Sequence, residues 1–346
     1  MSVVAPHAPA PTRTGLAVDR LSVSLPRGKG RAPVPLVRDV SFAVAGGESL
    51  GLVGESGAGK SLTCYAAMGL AQHAGLEVSG DVRLGDERIS GLGNRQLRRI
   101  RGERIAIVFQ EPSVSLDPAF TIGSQIAEVV RWHRGGSRSA ARRRAVECLR
   151  LVGVPNADRR ANEYPHTLSG GLRQRAMIAL AIACDPEVLI ADEATTALDV
   201  TIQAQILGLL RDLRDRLGMA LVIVTHDLGV VADSCDRVAV MYGGQIVESG
   251  PVDAVFESPQ HPYTQGLLDA VPSVLADGAV ATGIPGIVPA PTVEIDGCRF
   301  AARCSYATDT CRTGDLELVD VAPDHATRCG RIDEISLTGV DPIGGS

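Results

Sequence analysis

Lysine is nearly absent from this chain of 346 residues: Lys29 and Lys60 stand alone among 34 Lys and Arg side chains. A lysine at a chemically suggestive position is therefore hard to dismiss as chance. Long apolar runs are missing too. The best candidate, residues 176–184, is closed in by Arg175 and Asp185, far short of the ~18–20 residues a spanning helix needs. Any membrane role is expected to be peripheral and on the cytoplasmic side. Positive charge is not in excess; a net charge of −6 argues against a nucleic-acid binder with a broad basic surface. Residues 1–13 are rich in Pro and Ala and lack a continuous apolar core, so they read as a disordered tail, not a secretory leader. What is present is a hydrophobic share of 45%, enough for a well-buried core. The length suits one large domain and a smaller one.

Residues 16–24 and 39–44 alternate like strands around a loop of Pro, Gly and Arg. Residues 48–53 form a short apolar strand running into Gly54, and residues 61–70 read as a helix. A strand over 105–109 ends at Gln110, and the Arg-rich stretch 111–162 is helical in pattern. Residues 187–191 form a buried strand. Over 199–217, Ile202, Ile206, Leu209, Leu210, Leu213 and Leu217 share one helix face, with Gly218 as the stop. Residues 219–225 make another buried strand before His226, and 237–248 reads as a hairpin turning at Gly243-Gly244. No internal repeat is evident. Strands alternating with helices predict an α/β fold whose parallel sheet gathers ligands at the strands' carboxyl ends. Gly54, Gln110, Asp192 and His226 all fall at such ends. From Pro272 onward the composition turns to Pro, Gly and Cys.

Gly54-Glu55-Ser56-Gly57-Ala58-Gly59-Lys60-Ser61 sits between a strand and a helix, the context a phosphate loop requires. Its glycines let backbone N–H groups converge on β- and γ-phosphates at a helix N-terminus. Lys60 adds a point charge to the same oxygens, and the Ser61 hydroxyl suits Mg²⁺. A plain Gly-rich turn is the bland alternative; the flanking elements and the scarce lysine weigh against it. Downstream, an apolar strand delivers Asp192 and Glu193. Asp192 suits Mg²⁺ through a coordinated water, and Glu193 suits polarising the water that attacks the γ-phosphate. In isolation the pair would be two solvated acids as readily as a site. Leu168-Ser169-Gly170-Gly171 opens a long apolar helix. Ser169 is an ordinary N-cap, yet a cap does not call for two glycines, which cost helix stability. Bare N–H groups at a helix start instead admit a phosphate.

The order of phosphate loop, Gln110, Leu168-Ser169-Gly170-Gly171, Asp192-Glu193, Ala197-Leu198-Asp199 and Thr225-His226-Asp227 resembles the ATP-binding-cassette ATPases over residues 16–268. The resemblance implies a P-loop NTPase cassette over 14–268. Its parts would be a parallel-sheet core, an antiparallel β subdomain and an inserted helical subdomain over 111–180. A small Cys-rich appendage over 269–334 and a flexible tail over 335–346 would follow. ATP and Mg²⁺ are the implied ligands, the metal being held by Ser61, Gln110 and Asp192. Glu193, His226 and Gln110 are the implied catalytic set, with His226 at the γ-phosphate and Gln110 also coupling to a membrane partner. In this family two cassettes pair head to tail, so Ser169, Gly170 and Gly171 would act on the partner's ATP, with Asp199 at the interface. One departure concerns the base: the family stacks adenine on an upstream aromatic residue, but none precedes Phe42 and Leu25 stands in that region. Weaker base stacking is expected.

Phe109-Gln110-Glu111-Pro112-Ser113-Val114-Ser115-Leu116-Asp117-Pro118 resembles the peptide-importer branch of that family. So do Tyr164-Pro165-His166, Thr195-Thr196-Ala197-Leu198-Asp199-Val200-Thr201 and His261-Pro262-Tyr263-Thr264. The branch serves dipeptides and oligopeptides, with relatives handling nickel, glutathione and some oligosaccharides. The resemblance implies a peripheral ATPase subunit at the cytoplasmic face of the plasma membrane. Its partners would be a second cassette subunit, a distinct homologue before a second copy, two multi-span permease subunits and an extracytoplasmic solute-binding protein. No nucleic acid is expected. A non-transport cassette ATPase of DNA repair or translation is the rival reading; the coiled-coil or zinc-module insertion, or second cassette, usual there does not occur in this sequence.

Cys298, Cys304, Cys311 and Cys329 cluster in the Gly- and Pro-rich C-terminal stretch, with His325 nearby. A cytosolic setting disfavours structural disulfides, and segments below ~40 residues rarely fold without a metal, a disulfide or a partner. Zinc fits the ligand type, but its usual Cys-x₂-Cys pairing is absent. The peptide-importer cassettes resembled carry this pattern, and some hold a [4Fe–4S] cluster. The cluster is the first expectation, zinc the second, free thiols the third. Cys64, Cys148, Cys184 and Cys235 fit ordinary core positions.

Overall fold

The computed structural model describes residues 14–28, 30–110, 115–195, 199–270 and 283–340. The tail 1–13, residues 111–114 and 196–198, and the end of the tail after 340 lie outside the described residues. The chain opens with β1 (Thr14–Leu25) and β2 (Val34–Ala45). Next β3 (Ser49–Val53) enters the phosphate loop and α1 (Lys60–Ala67) leaves it. After them come β4 (Glu77–Leu84), β5 (Glu87–Arg88), α2 (Asn94–Ile100) and β6 (Ile105–Val108). Helices α3 (Ile122–Arg134), α4 (Arg138–Leu151) and α5 (Ala157–Arg160) lead to α6 (Gly170–Ala181). The core then continues through β7 (Val188–Asp192), α7 (Val200–Leu217), β8 (Ala220–Thr225), α8 (Leu228–Ser234), β9 (Arg237–Tyr242) and β10 (Gln245–Pro251). Helices α9 (Val252–Glu257) and α10 (Pro262–Asp269) precede the short strands β11 (Val319–Ala322) and β12 (His325–Thr327).

The strands form two sheets. The smaller runs β2-β1-β4-β5 and is antiparallel throughout. The larger runs β11-β12-β10-β9-β3-β8-β7-β6, and its five strands from β9 to β6 are parallel. Every residue of β3, β7 and β8 is buried, which is why these strands read as continuous apolar runs: a parallel strand is covered on both faces. Side-chain alternation then sorts β3 between two cores. Leu50 and Leu52 join Val18, Val37 and Val44 of the antiparallel sheet, whereas Val53 faces Val231, Tyr242 and Tyr263. A third core joins the α3–α6 helices to the sheet through Ile126, Leu149, Ile178, Leu189 and Leu221. On α7 the predicted face is the packed one: Ile206, Leu210 and Leu213 are fully buried, and Gly218 ends the helix in the left-handed region at φ 63°.

The Cys-rich stretch, expected as a separate appendage, adds two strands to the edge of the main sheet. Thr327 and Ala326 of β12 pair with Glu248 and Ser249 of β10, and β11 pairs with β12. Strands of three and four residues carry no readable period, so the pairing left no trace in the sequence. The stretch is anchored by Phe300, buried among Tyr242, Tyr263 and His261 with ring centroids 5.2, 5.3 and 5.9 Å away. Burial pushes the His261 pKa down to about 3, so this ring sits in the cluster as a neutral imidazole, its Nδ1 accepting from the Tyr263 N–H. Phe300→Ala empties the centre of the cluster and is expected to cost ~3–5 kcal/mol, read as a shifted denaturant midpoint; a loss below ~1 kcal/mol would show that the stretch is not held there.

Candidate active site

The phosphate loop leaves β3 at Gly54, where φ is 149° and a Cβ would lie 2.1 Å from the Met241 carbonyl oxygen. Only glycine fits that approach. Gly59, at φ 98°, starts α1. Between them Ser56 and Gly57 are exposed, leaving the crown of the loop open to a ligand. Lys60 is buried, 5% exposed, and its Nζ donates to the carbonyls of Gly54 (2.7 Å) and Glu55 (3.2 Å). Burial lowers its pKa, while Glu193, Asp192 and Glu55 pull the other way. An ammonium taken out of water needs such partners, because desolvating an unpaired charge is costly.

Asp192 ends β7 and is 3% exposed. Its two oxygens are both engaged: Oδ1 accepts from Ser61 Oγ and Oδ2 from the Tyr65 hydroxyl, each at 2.7 Å. Glu193 follows in the left-handed region at φ 45°, its N–H held by the Val224 carbonyl at 2.9 Å. A non-glycine residue there costs of order 1–3 kcal/mol and persists where the surroundings enforce it. The turn presents the Glu193 carboxylate to two neighbouring strand ends. Gln110 Nε2, beyond β6, donates to Oε2 at 2.9 Å, and His226 Nδ1, beyond β8, lies 3.5 Å from Oε1. Phosphate loop, Gln110, acid pair and His226 thus meet in one crevice. Tyr65 went unread in the sequence, although its i+4 spacing from Ser61 places both on one face of α1. Its hydroxyl pKa is raised by burial and by the bond to Asp192.

Ser169 and Asp199 make their side-chain hydrogen bonds locally. Ser169 caps α6, accepting from Leu172 N at 3.4 Å, and Asp199 caps α7, accepting from Ile202 N at 2.9 Å. Ser169 and Gly170 are exposed. At Gly170 an added Cβ would meet nothing within 4 Å, so packing among the described residues does not demand a glycine there. At Gly171 an added Cβ would lie 3.3 Å from an Ile202 methyl. The buried Gln174 ties α6 to the acid pair by donating to the Ala194 carbonyl at 2.5 Å. Leu25, in the expected base region, is 45% exposed.

Cys298, Cys304, Cys311 and Cys329 line one pocket together with Phe300 and Tyr306. Burial raises the thiol pKa of Cys298 to about 11 and moves Cys304 and Cys329 the same way. Backbone N–H groups of Phe300, Tyr306 and Arg331, donating to these sulfurs, act in the opposite sense. Among the described residues no group of three His, Cys, Asp or Glu is arranged to hold a metal ion. The donor set suits a thiolate-bound group; the side-chain positions do not hold a single ion. Cys64, Cys148 and Cys184 are buried core residues, while Cys235 is partly exposed.

The family model described as ABC transporter matches residues 37–196, and that described as Oligopeptide/dipeptide transporter, C-terminal region, matches 247–311. The dipeptide transport ATP-binding protein DppD of Escherichia coli is 44% identical over 314 residues, 91% of this chain and 95% of its own. The oligopeptide transport ATP-binding protein AppD of Bacillus subtilis is 46% identical over 300 residues, 86% of this chain and 92% of its own. Among solved structures, the ATP-binding cassette MJ0796, a dimer in a post-hydrolysis state with ADP and Pi, superimposes with a TM-score of 0.60 at 28% identity. That match covers 68% of this chain and 98% of the cassette.

Lys60→Ala removes a charged donor whose hydrogen bonds are worth ~1.5–3 kcal/mol each. Affinity for a nucleoside triphosphate is expected to fall at least about tenfold, as read by titration with a fluorescent analogue. Equal binding by the variant would contradict the assignment of the loop.

Proposed function

The chain belongs to the ABC transporter family, and from that premise we propose that it is the ATP-hydrolysing subunit of an importer for dipeptides or oligopeptides. Two observations support the reading. The second family match lies on the oligopeptide/dipeptide C-terminal region, and the two named relatives are alike over nearly their whole length. The hydrolytic part rests on one feature above all, a glutamate held between Gln110 and His226 beside the phosphate loop.

ATP seats its phosphates on the loop crown at the N-terminus of α1, where N–H groups and the helix dipole favour anions. Lys60 then transfers its donors from the Gly54 and Glu55 carbonyls to phosphate oxygens. Ser61, Gln110 and Asp192 would hold Mg²⁺, which when bound would supply positive charge to those oxygens. Glu193 orients the attacking water and takes up its proton as the water oxygen bonds to the γ-phosphorus. The bond to the bridging oxygen of ADP breaks in the same displacement. Gln110 and His226 fix the Glu193 carboxylate, and His226 is 52% exposed, open to the γ-phosphate.

Ser169, Gly170 and Gly171 close over the ATP of a mate, and Asp199 lies at that seam. The exposed, unfilled position of Gly170 supports this reading. The mate is a homologous chain or a second copy. Two permease subunits and an extracytoplasmic solute-binding protein complete the importer, which the chain serves as a peripheral subunit at the cytoplasmic membrane face. Among the described residues no helix is long and apolar enough to cross a membrane. Because the other subunits select the solute, nickel, glutathione or oligosaccharide import would use the same machinery.

For the four thiols the proposal is a [4Fe–4S] cluster, supported by their shared pocket and by the N–H groups aimed at three of the sulfurs. Protein purified without air is expected to contain iron and acid-labile sulfide, with both reduced in Cys304→Ser. A colourless, iron-free wild type removes the cluster. For hydrolysis, Glu193→Gln is expected to keep ATP binding while steady-state turnover falls by ~10²-fold or more; undiminished turnover in a phosphate-release assay would refute the role given to Glu193.

A further inference from the structure

The phosphate loop is gripped from outside the strand and helix that carry it. Arg303, the neighbour of Cys304, donates to both carboxylate oxygens of Glu55. Nη1 reaches Oε2 at 2.6 Å and Nη2 reaches Oε1 at 3.0 Å. This is the two-pronged geometry that makes an Arg–carboxylate pair strong and directional. Its Nε donates to the Pro285 carbonyl at 2.8 Å, and Nη2 also reaches the Ile284 carbonyl at 3.2 Å. The Arg303 side chain is only 5% exposed, and its guanidinium lies 5.8 and 5.9 Å from the ring centres of Tyr242 and Phe300. Every guanidinium nitrogen is therefore engaged, and the group is fixed. A second grip reaches the same loop residue: the Glu55 N–H donates to the Tyr263 hydroxyl oxygen at 2.9 Å. Glu55 is held by its side chain from the Cys-rich stretch and by its backbone from α10.

We propose that Arg303 is a positioning residue for ATP: acting through Glu55, it fixes the phosphate loop in the conformation that receives the β- and γ-phosphates. The inference rests on the ATP-binding role given above and adds to it a contact 248 residues away in sequence. Three features support it. A buried guanidinium is costly without a carboxylate partner, and an apolar side chain would fill the site beside Tyr242 and Phe300 if packing were the whole purpose. The carboxylate chosen belongs to the loop itself, one residue past Gly54. The Lys60 ammonium bonds the carbonyl of that same Glu55, so the grip on Glu55 also sets where the loop lysine rests. A loop held this way should bind ground state and transition state about equally, which places the effect on KM and not on kcat.

The test uses the full chain and measures KM and kcat for ATP, equilibrium ATP affinity and the melting temperature. Arg303→Ala is expected to raise KM and the ATP dissociation constant about tenfold with kcat within about twofold. Arg303→Lys, which keeps the charge and loses the fork, should fall between. Glu55→Ala should reproduce the Arg303→Ala effect. The double variant should be no worse than either single one, because the two residues act as one unit. If Arg303→Ala does not fold, Glu55→Gln removes the ion pair from the more exposed side and carries the same expectations. A lowered melting temperature with unchanged KM, or additive losses in the double variant, would overturn the proposal alone. A wild type that neither binds nor hydrolyses ATP would overturn the functional reading and this inference with it.

Discussion

Parallel strands that end along one edge decide where an anion can sit in this molecule. Strands β3, β6, β7 and β8 are hydrogen-bonded neighbours or near neighbours in one sheet, and each hands its next residues to the same crevice. The loop with its buried Lys60 comes from β3, Gln110 from β6, Asp192 and Glu193 from β7, and His226 from β8. The electrostatics follow from that placement. A single ammonium lies close to three carboxylates, and its hydrogen bonds go to loop carbonyls that a phosphate can replace. Little needs to move for a triphosphate to enter. The Glu193 carboxylate is already oriented, because its backbone is locked to Val224 and its oxygens face Gln110 and His226.

At the start of α6, Ser169 and Gly170 are exposed, and among the described residues nothing occupies the space a side chain at Gly170 would take. A helix N-terminus so bare suits an anion, and the proposed pairing of two cassettes would close the site. On the proposed reading, the loop and acid pair serve the chain's own nucleotide and the α6 start serves a mate's.

Much of this was legible in the sequence because the motifs are local. The phosphate loop, the strand ending in two acids and the Ser169-Gly170-Gly171 helix start each express their geometry within about eight residues, where strand, turn and helix-start preferences act. The α7 face was legible for the same reason, since Ile206, Leu210 and Leu213 repeat at helical spacing. The rest depends on distance along the chain. None of Glu55, Arg303 and Tyr263 signals its partner. Residues 77–100, which form β4, β5 and α2, carry no element reading from the sequence, and β11 and β12 are too short to show a pattern. The places of β11 and β12 come from edge pairing and from the nearby Phe300 cluster, which are tertiary facts. The Leu25 position illustrates the opposite case: its departure from the aromatic expectation is visible in sequence, and its side chain is 45% exposed.

The central claim is that one chain supplies a complete phosphate grip but only half of the enclosure. Amide hydrogen exchange with and without ATP and Mg²⁺, followed over a range of protein concentrations and with the mate added, tests it most directly. The account predicts slowed exchange over residues 55–61 whenever nucleotide is bound. It predicts slowed exchange over residues 169–172 only when two cassettes associate. Protection of 169–172 in an isolated monomer, or no protection of the loop at saturating nucleotide, would contradict it.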